Sequence, residues 1–476
     1  LLNLGVRHNK ALVNLVMALS SQKASSVVGL SESPLFHYQY SSITDAVGHI
    51  APDAAGLREF ERRLLSTCLG HLEAPGAEIC LATDKTVVPK PQTPTFPNRT
   101  TVVCPNPAFA GARSLSVGYE YSWVNLQVGE GWSLPLSAER IELERTAAQV
   151  AGRQVDRLLS DGALPFKEAP LIINNLDSGY VGAGYLDSVK QHLNLVSVIC
   201  LRHGSRVWEA APEGSHKPKV YGRKHYLLAA DRVLHCKKHP KNGLPYEVHQ
   251  EALATHKTPD EETAWEETLK NGRRVRFQVR RFKDLLWRTI DGVAMKDRPF
   301  DVALVEVRDA ASGEMVFKKP LFLGIFGNKR AQLQIPQIPK TYRKRYNIEP
   351  FFRFAKQNMA MRGFQTPVAQ HLDNWMYVII ASCWLLFHSA RCLTSQPKKW
   401  QQYLVSEPKN KPVRSLAQAQ KAALKYLLTF DQAPFLPQKS KPGPGRKKGM
   451  RQTQRTKYRY VRKDAKKSLK PKIRSD

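Results

Sequence analysis

An α/β fold built on a mixed sheet is what this sequence predicts, and three observations carry the prediction. Two β-type apolar runs each end in an acid, EICLATD at Asp84 and APLIINNLDSGY at Asp177. Two further strand-like runs, SLSVGYEYSWVNLQV and GWSLPL, and a helical stretch lie between them. A long, largely helical portion after Pro339 is set apart by a strand-rich segment.

Taken in order, residues 1–72 place apolar residues at helical spacing in ALVNLVMALS and LREFERRLLSTCLGHL, which predicts a helical N-terminal domain with DNA binding as one role for it. The chain starts at Leu1 without Met, which leaves room for an upstream stretch. Residues 73–201 form the first part of the core. EICLATD is followed by a Pro/Asn-rich excursion, the two strand-like runs, a helix from about Ser137 to Ser160, the strand ending at Asp177, a helix from Tyr185 to His192 and the strand LVSVICL. That order of strands and helices matches a ribonuclease-H-like core. Residues 202–320 read as a β-rich insertion, separate from the sheet, and residues 321–400 as the second part of the core. Residues 401–476 read as a basic, largely disordered tail: from position 435 onward, 16 Lys+Arg face two Asp.

The 73 Lys+Arg against 41 Asp+Glu leave a net charge of +32, which opposes compaction unless a polyanion offsets it. Nucleic acid is the commonest such partner; membrane surfaces and acidic proteins compete on charge alone. The longest apolar run, Trp375 to Phe387, is shorter than the ~20 residues that span a bilayer, so it reads as a buried helix and no membrane is expected. Seven scattered cysteines without a CxxC pair fit a reducing compartment.

The sharpest chemical signal is TYRKRYNIEPFFRFAKQNM, where Tyr342, Arg345, Glu349 and Lys356 fall within roughly 60° of one face of a continuous helix. A carboxylate sharing a face with two cations and a phenol suits a phosphate held beside a metal. Pro350 qualifies that geometry, because the residue before a proline is pushed away from helical angles. Either the helix kinks there, or a new one starts at Pro350 as its first helical residue, with Glu349 near its N-cap.

This spacing resembles the Tyr-Arg-Glu-Lys signature of bacterial insertion-sequence DDE transposases, members of the ribonuclease-H-like superfamily. The resemblance covers roughly residues 75–390. It implies a catalytic and metal-binding triad of Asp84, Asp177 and Glu349, with Tyr180 part of the second motif and Tyr342, Arg345 and Lys356 on DNA phosphates. It also implies two Mg²⁺ ions, for which Mn²⁺ can substitute, DNA as transposon end and target, a homodimer on paired ends, and a place in the bacterial cytoplasm at the nucleoid. The expected reaction is hydrolysis at transposon ends followed by strand transfer.

Each residue also has a plainer reading. Asp84 and Asp177 could be turn residues, and Glu349 a member of a salt-bridged helix. The alternative function is a catalytically inactive, transposase-derived DNA-binding protein. GYVGAG is spaced GxxGxG rather than GxGxxG, so Gly179, Gly182 and Gly184 read as turn glycines and not as a dinucleotide loop. His235, Cys236, His239 and His249 fit no standard zinc spacing. Trp265 and Trp287 read as core, with stacking on an extruded base as the other role open to them. In the run Arg273, Arg274, Arg276, Arg280, Arg281, partial alternation suggests a strand face turned to a phosphate backbone, with Arg276 and Arg280 as DNA contacts.

Overall fold

The computed structural model describes residues 9–50, 54–69, 78–105, 113–129, 131–160, 170–212, 220–236, 244–269, 271–395, 411–427, 449 and 454–462. It begins with α1 (Asn9–Ser21), α2 (Val27–Ser31), α3 (Tyr40–Gly48) and α4 (Ala54–Leu69). The core follows: β1 (Ile79–Pro89), β2 (Thr100–Pro105), β3 (Arg113–Val128), β4 (Trp132–Arg140), α5 (Ala147–Leu159), β5 (Ile172–Leu176), α6 (Ala183–Val189) and β6 (Leu195–Leu201). β1, β5 and β6 are parallel neighbours, and β3 lies antiparallel to β1. This is a ribonuclease-H-like mixed sheet with helices, as the element order predicts.

Two local expectations shift. The Pro/Asn-rich excursion ends in β2, so Asp177 follows the fifth strand rather than the fourth, and Asp84 sits inside β1 rather than at its end. The helix expected from Ser137 begins only at Ala147, because β4 pairs with β3 out to Arg140. Thr146 then starts α5 with a capping box: its Oγ1 accepts from the Gln149 amide at 3.2 Å, and Gln149 Oε1 accepts from the Thr146 amide at 2.9 Å.

The segment expected to stand apart from the sheet instead extends it. It contains β7 (Arg206–Ala210), β8 (Tyr221–Tyr226), β9 (Arg232–Cys236), β10 (Tyr246–Gln250), α7 (Leu253–His256), β11 (Glu261–Thr268), β12 (Arg274–Leu285), β13 (Thr289–Ile290), β14 (Val293–Ala294), β15 (Phe300–Asp309) and β16 (Leu321–Phe326). The sheet order is β11-β12-β15-β16-β6-β5-β1-β3-β2, with β4 also on β3. β6 would otherwise present an unpaired edge, and the alternation in β12 buries Val275, Phe277 and Val279 on one face. Among the described residues of this segment, the β7–β8 and β9–β10 hairpins and the β13–β14 turn form ladders apart from the sheet.

After the sheet come α8 (Gln337–Lys344), a 3-10 turn over Arg345–Asn347, α9 (Ile348–Asn358), α10 (Ala369–Ser389) and α11 (Leu416–Leu427). The apolar run read as a buried helix is α10. Trp375 and Trp384 are fully buried, and their indole N–H groups donate to Met359 O at 3.1 Å and Pro135 O at 2.7 Å. Among the described residues no helix is long and apolar enough to cross a membrane.

The N-terminal helices do not form a bundle of their own. Leu12, Leu15, Leu19, Ile43 and Phe60 share one apolar core with α10 and the sheet. Two described parts of the tail pack against the rest of the chain. Leu416, Ala419 and Ala423 of α11 are buried at helical spacing, and Gln420 Nε2 donates to Leu19 O and Gln22 O, both at 2.9 Å. Residues 454–462 lie against the sheet edge. Residues 428–448 of the tail fall outside the described residues.

Lys90, at the end of β1, is a buried pin. Its ammonium donates to Arg362 O at 2.8 Å and Phe364 O at 2.5 Å, and burial pulls its pKa down to about 8. Lys90→Met strands two buried carbonyls. The expected loss is about 1–3 kcal/mol, read as a lower urea midpoint with far-UV circular dichroism unchanged in native buffer.

Candidate active site

Strand register brings the first two acids together. Thr83 of β1 pairs with Leu176 of parallel β5, so Asp84 and Asp177 stand one step further along adjacent strands, about 4.8 Å apart in the pairing direction. The outer ends of parallel strands are where open α/β sheets place ligands. Beneath them runs a buried polar ladder. Thr83 Oγ1 donates to Asn174 Oδ1 at 2.9 Å, Asn174 Nδ2 to the Tyr185 hydroxyl at 2.9 Å, and that hydroxyl lies 2.8 Å from Ser197 Oγ. One-residue slippage would unpair every member, so the ladder fixes the register that aligns the two aspartates. The NN pair in INNLD was the available signal for it.

The third acid arrives by packing. Asp84 is directly across from Trp123 of β3, and cross-strand partners share a face. Trp123 meets Phe351 edge-on at 5.2 Å between ring centroids and Phe352 at 6.4 Å, which seats α9 on the face carrying Asp84. Glu349 lies two residues before this contact, in the first turn of α9. The helix is not continuous from Tyr342. It ends at Lys344, passes through the 3-10 turn and restarts at Ile348, so Pro350 sits in a first turn where its missing N–H does no harm.

Arg345 occupies the centre. Its Nη1 donates to Asp84 Oδ2 at 3.0 Å, while Asp84 Oδ1 accepts from the Lys85 amide at 2.7 Å. Burial raises the Asp84 pKa, the Arg345 guanidinium works against that rise, and the nearby charges of Asp177 and Glu349 add to it. Asp84 therefore feels both of the other carboxylates. Burial disfavours the Arg345 charge, but Tyr342, Asp84 and Asp177 outweigh it and hold the guanidinium above its ordinary value.

The remaining predicted residues divide. Tyr342 is 2% exposed, beside the Cys200 thiol, with its ring 5.4 Å from the Arg345 guanidinium. Lys356 is half-buried over the Phe352 ring at 5.7 Å; burial pulls its pKa down to about 8, with Arg362 adding to the fall and Asp84 opposing it. Tyr180 is buried within electrostatic reach of Asp84 and Asp177.

Arg276 and Arg280 are not brought to the carboxylates. β12 stands five strand steps from β1, roughly 24 Å away. Most of the basic run is paired within the sheet: Arg273 with Asp309, Arg274 with Glu266, Arg280 with Glu306, and buried Arg281 with Asp301. Trp287 is core, packed on Phe300 and Phe326, while Trp265 stacks on Phe277.

The GYVGAG glycines serve packing as well as turning. A Cβ on Gly184 would lie 2.4 Å from Gln149 Cγ, so glycine there lets α6 approach α5. Asp291, at the tip of the β13–β14 hairpin, accepts from the Ala183 amide at 3.1 Å and tethers the loop following Asp177. The Asp-Gly pair at 291–292 is a hairpin signal that the sequence reading passed over.

The family model described as DDE superfamily endonuclease matches residues 3–272. This chain belongs to that family. A DDE endonuclease acts on DNA, and members typically use divalent metals. The match contains Asp84 and Asp177 and ends before Glu349, whose assignment therefore rests on the packing of α9. No curated protein matches the chain.

Among the described residues no three His, Cys, Asp or Glu side chains are drawn tightly enough to enclose an ion. The donor set nonetheless suits a hard divalent cation. Oxygen ligands only are offered, and Asp84 bears the repulsion of two neighbouring acids that such an ion would relieve. Arg345 Nε is buried without a hydrogen-bond partner, which leaves a donor available to an incoming acceptor.

Proposed function

We propose that this DDE endonuclease is a DNA transposase of the insertion-sequence type. It hydrolyses the phosphodiester at a transposon end and joins the freed 3′-hydroxyl to target DNA. The observation that carries the reading is Asp84 held by the Arg345 guanidinium, with Asp177 and Glu349 both near enough to act on its charge. Asp84, Asp177 and Glu349 would hold two Mg²⁺ ions, or Mn²⁺ in their place, which would supply activation of the attacking oxygen and stabilisation of the leaving one.

The chain's own groups do the rest. Arg345 offers a flat fork of donors, backed by the Tyr342 and Tyr346 rings, that fits two oxygens of one phosphate. Lys356, on the same helix as Glu349, adds a point charge to the neighbouring phosphate. Buried Tyr342 orients Arg345 from behind. Arg276, exposed on distant β12, meets the duplex beyond the cleaved end, while Arg280 is paired with Glu306, and two copies act on paired ends in the nucleoid.

The test separates a transposase from a simple nuclease. A labelled, pre-cut transposon end is incubated with the protein, a divalent ion and a supercoiled plasmid. Label joined covalently to plasmid is the expected result. Nicked plasmid without joined label would leave an endonuclease and remove strand transfer.

A further inference from the structure

We propose that residues 454–462 form a second DNA-holding surface, made by docking the chain's own basic tail onto the open edge of the sheet. The segment reads QRTKYRYVR: four cations, two tyrosines and no acid. It is held almost wholly through main-chain atoms. The Tyr458 amide donates to Pro94 O at 2.8 Å, the Val461 amide donates to Arg99 O at 2.7 Å, and Val461 bridges Thr100 of β2 in parallel.

Arg99 is the rivet. It is 5% exposed and gives its N–H groups to carbonyls alone: Phe96 at 3.3 Å, Lys90 at 3.1 Å, Pro91 at 3.3 Å and Tyr458 at 3.1 Å. The side chains of the segment are thus left for a partner. Among the described residues no ion pair involves Arg455, Lys457, Arg459 or Arg462, and all four are exposed. Tyr458 and Tyr460 keep 44% and 43% of their surface in solvent.

Cations interleaved with open aromatic rings on an extended backbone suit a nucleic-acid strand, with phosphates on the cations and unpaired bases on the rings. β2 is the second strand over from β1, and Thr100, where the segment docks, lies beside Gly118 of β3, five residues along β3 from Trp123, the cross-strand partner of Asp84. That is about 17 Å of strand. A DNA strand held at 454–462 can therefore continue toward Asp84.

The inference rests on the reading of DNA as substrate, and the experiment keeps the two apart. Binding of the full chain to labelled single-stranded and duplex oligonucleotides is followed by anisotropy across salt concentrations. The quadruple variant Arg455→Gln, Lys457→Gln, Arg459→Gln, Arg462→Gln is compared with Lys441→Gln, Arg446→Gln, Lys447→Gln, Lys448→Gln, which removes the same charge elsewhere. The first is expected to flatten the slope of log K against log salt by about 3, and the second by less. Tyr458→Ala with Tyr460→Ala should weaken single-strand binding on the order of tenfold and leave the duplex unchanged. Equal flattening by both quadruple variants would reduce the effect to bulk charge and overturn the proposal. So would a tyrosine variant that binds single strands as the parent does. A parent chain that binds neither oligonucleotide would overturn the DNA reading itself.

Discussion

Glu349→Gln is expected to abolish metal-dependent DNA cleavage, lowering the rate by at least on the order of 10²–10³, while DNA binding persists. Partners that only orient a metal ligand already cost 10–100-fold when removed, and a ligand itself should cost more. Glu349 is the cleanest of the three acids to change. It is exposed in the first turn of α9, and substitution at such a surface position shifts stability by about 0.5 kcal/mol or less. Asp84→Asn is a poorer probe, since it also removes the counter-ion of buried Arg345. The measurement is nicking of supercoiled DNA carrying the element's ends, with Mg²⁺ or Mn²⁺, beside a binding titration. Equal cleavage by parent and variant would take Glu349 out of the site and sink the three-carboxylate mechanism. Binding without cleavage by the parent would favour a transposase-derived DNA-binding protein.

Arg157→Leu should destabilise the fold by about 3–5 kcal/mol, the usual cost of leaving buried charge unpaired. Arg157 of α5 holds Glu61 of α4 through two hydrogen bonds of 2.7 Å, contacts Glu139 of β4, and donates to Ser137 Oγ at 3.0 Å. Glu61 keeps only 2% of its side-chain surface. Burial already raises the Glu61 pKa above 4.5 despite Arg157, and loss of the guanidinium would raise it further. Between 4.5 and the raised value, the native state holds a proton that the unfolded chain has released. Stability therefore falls as pH rises through that window. Urea melts from about pH 5 to about pH 8 should show the gap to the parent widening with pH. A gap independent of pH would assign the loss to packing alone.

The same network ties the N-terminal helices to the sheet through Glu61 of α4. Helical spacing in residues 8–72 identifies an apolar face but not what covers it. Here it is covered by α10, more than 300 residues downstream, with Asn374 Nδ2 donating to Val47 O at 2.8 Å. Likewise the alternation in RRVRFQVRRF and DVALVEVRD marks strands, yet which edge they join depends on β6 being open. The run of arginines pointed to phosphate until Asp309, Glu266, Glu306 and Asp301 arrived on neighbouring strands.

By itself the sequence determined the mixed α/β class, the buried helix at Trp375 to Phe387, and the three acids together with Arg345 and Lys356 as a candidate group. The class and the helix follow from periodicity, a local property, and the group of residues is what the resemblance to the Tyr-Arg-Glu-Lys signature implies. Only the tertiary structure decided that Asp84 and Asp177 lie side by side, because parallel register is set by the Thr83–Asn174–Tyr185–Ser197 ladder. It also decided that Phe351 on Trp123 carries Glu349 to the same face, that Tyr342 is buried behind Arg345, and that part of the tail returns to the sheet edge. Each of these is a contact between residues far apart in the chain, and its energy comes from what the partner excludes from water, which no window of sequence contains.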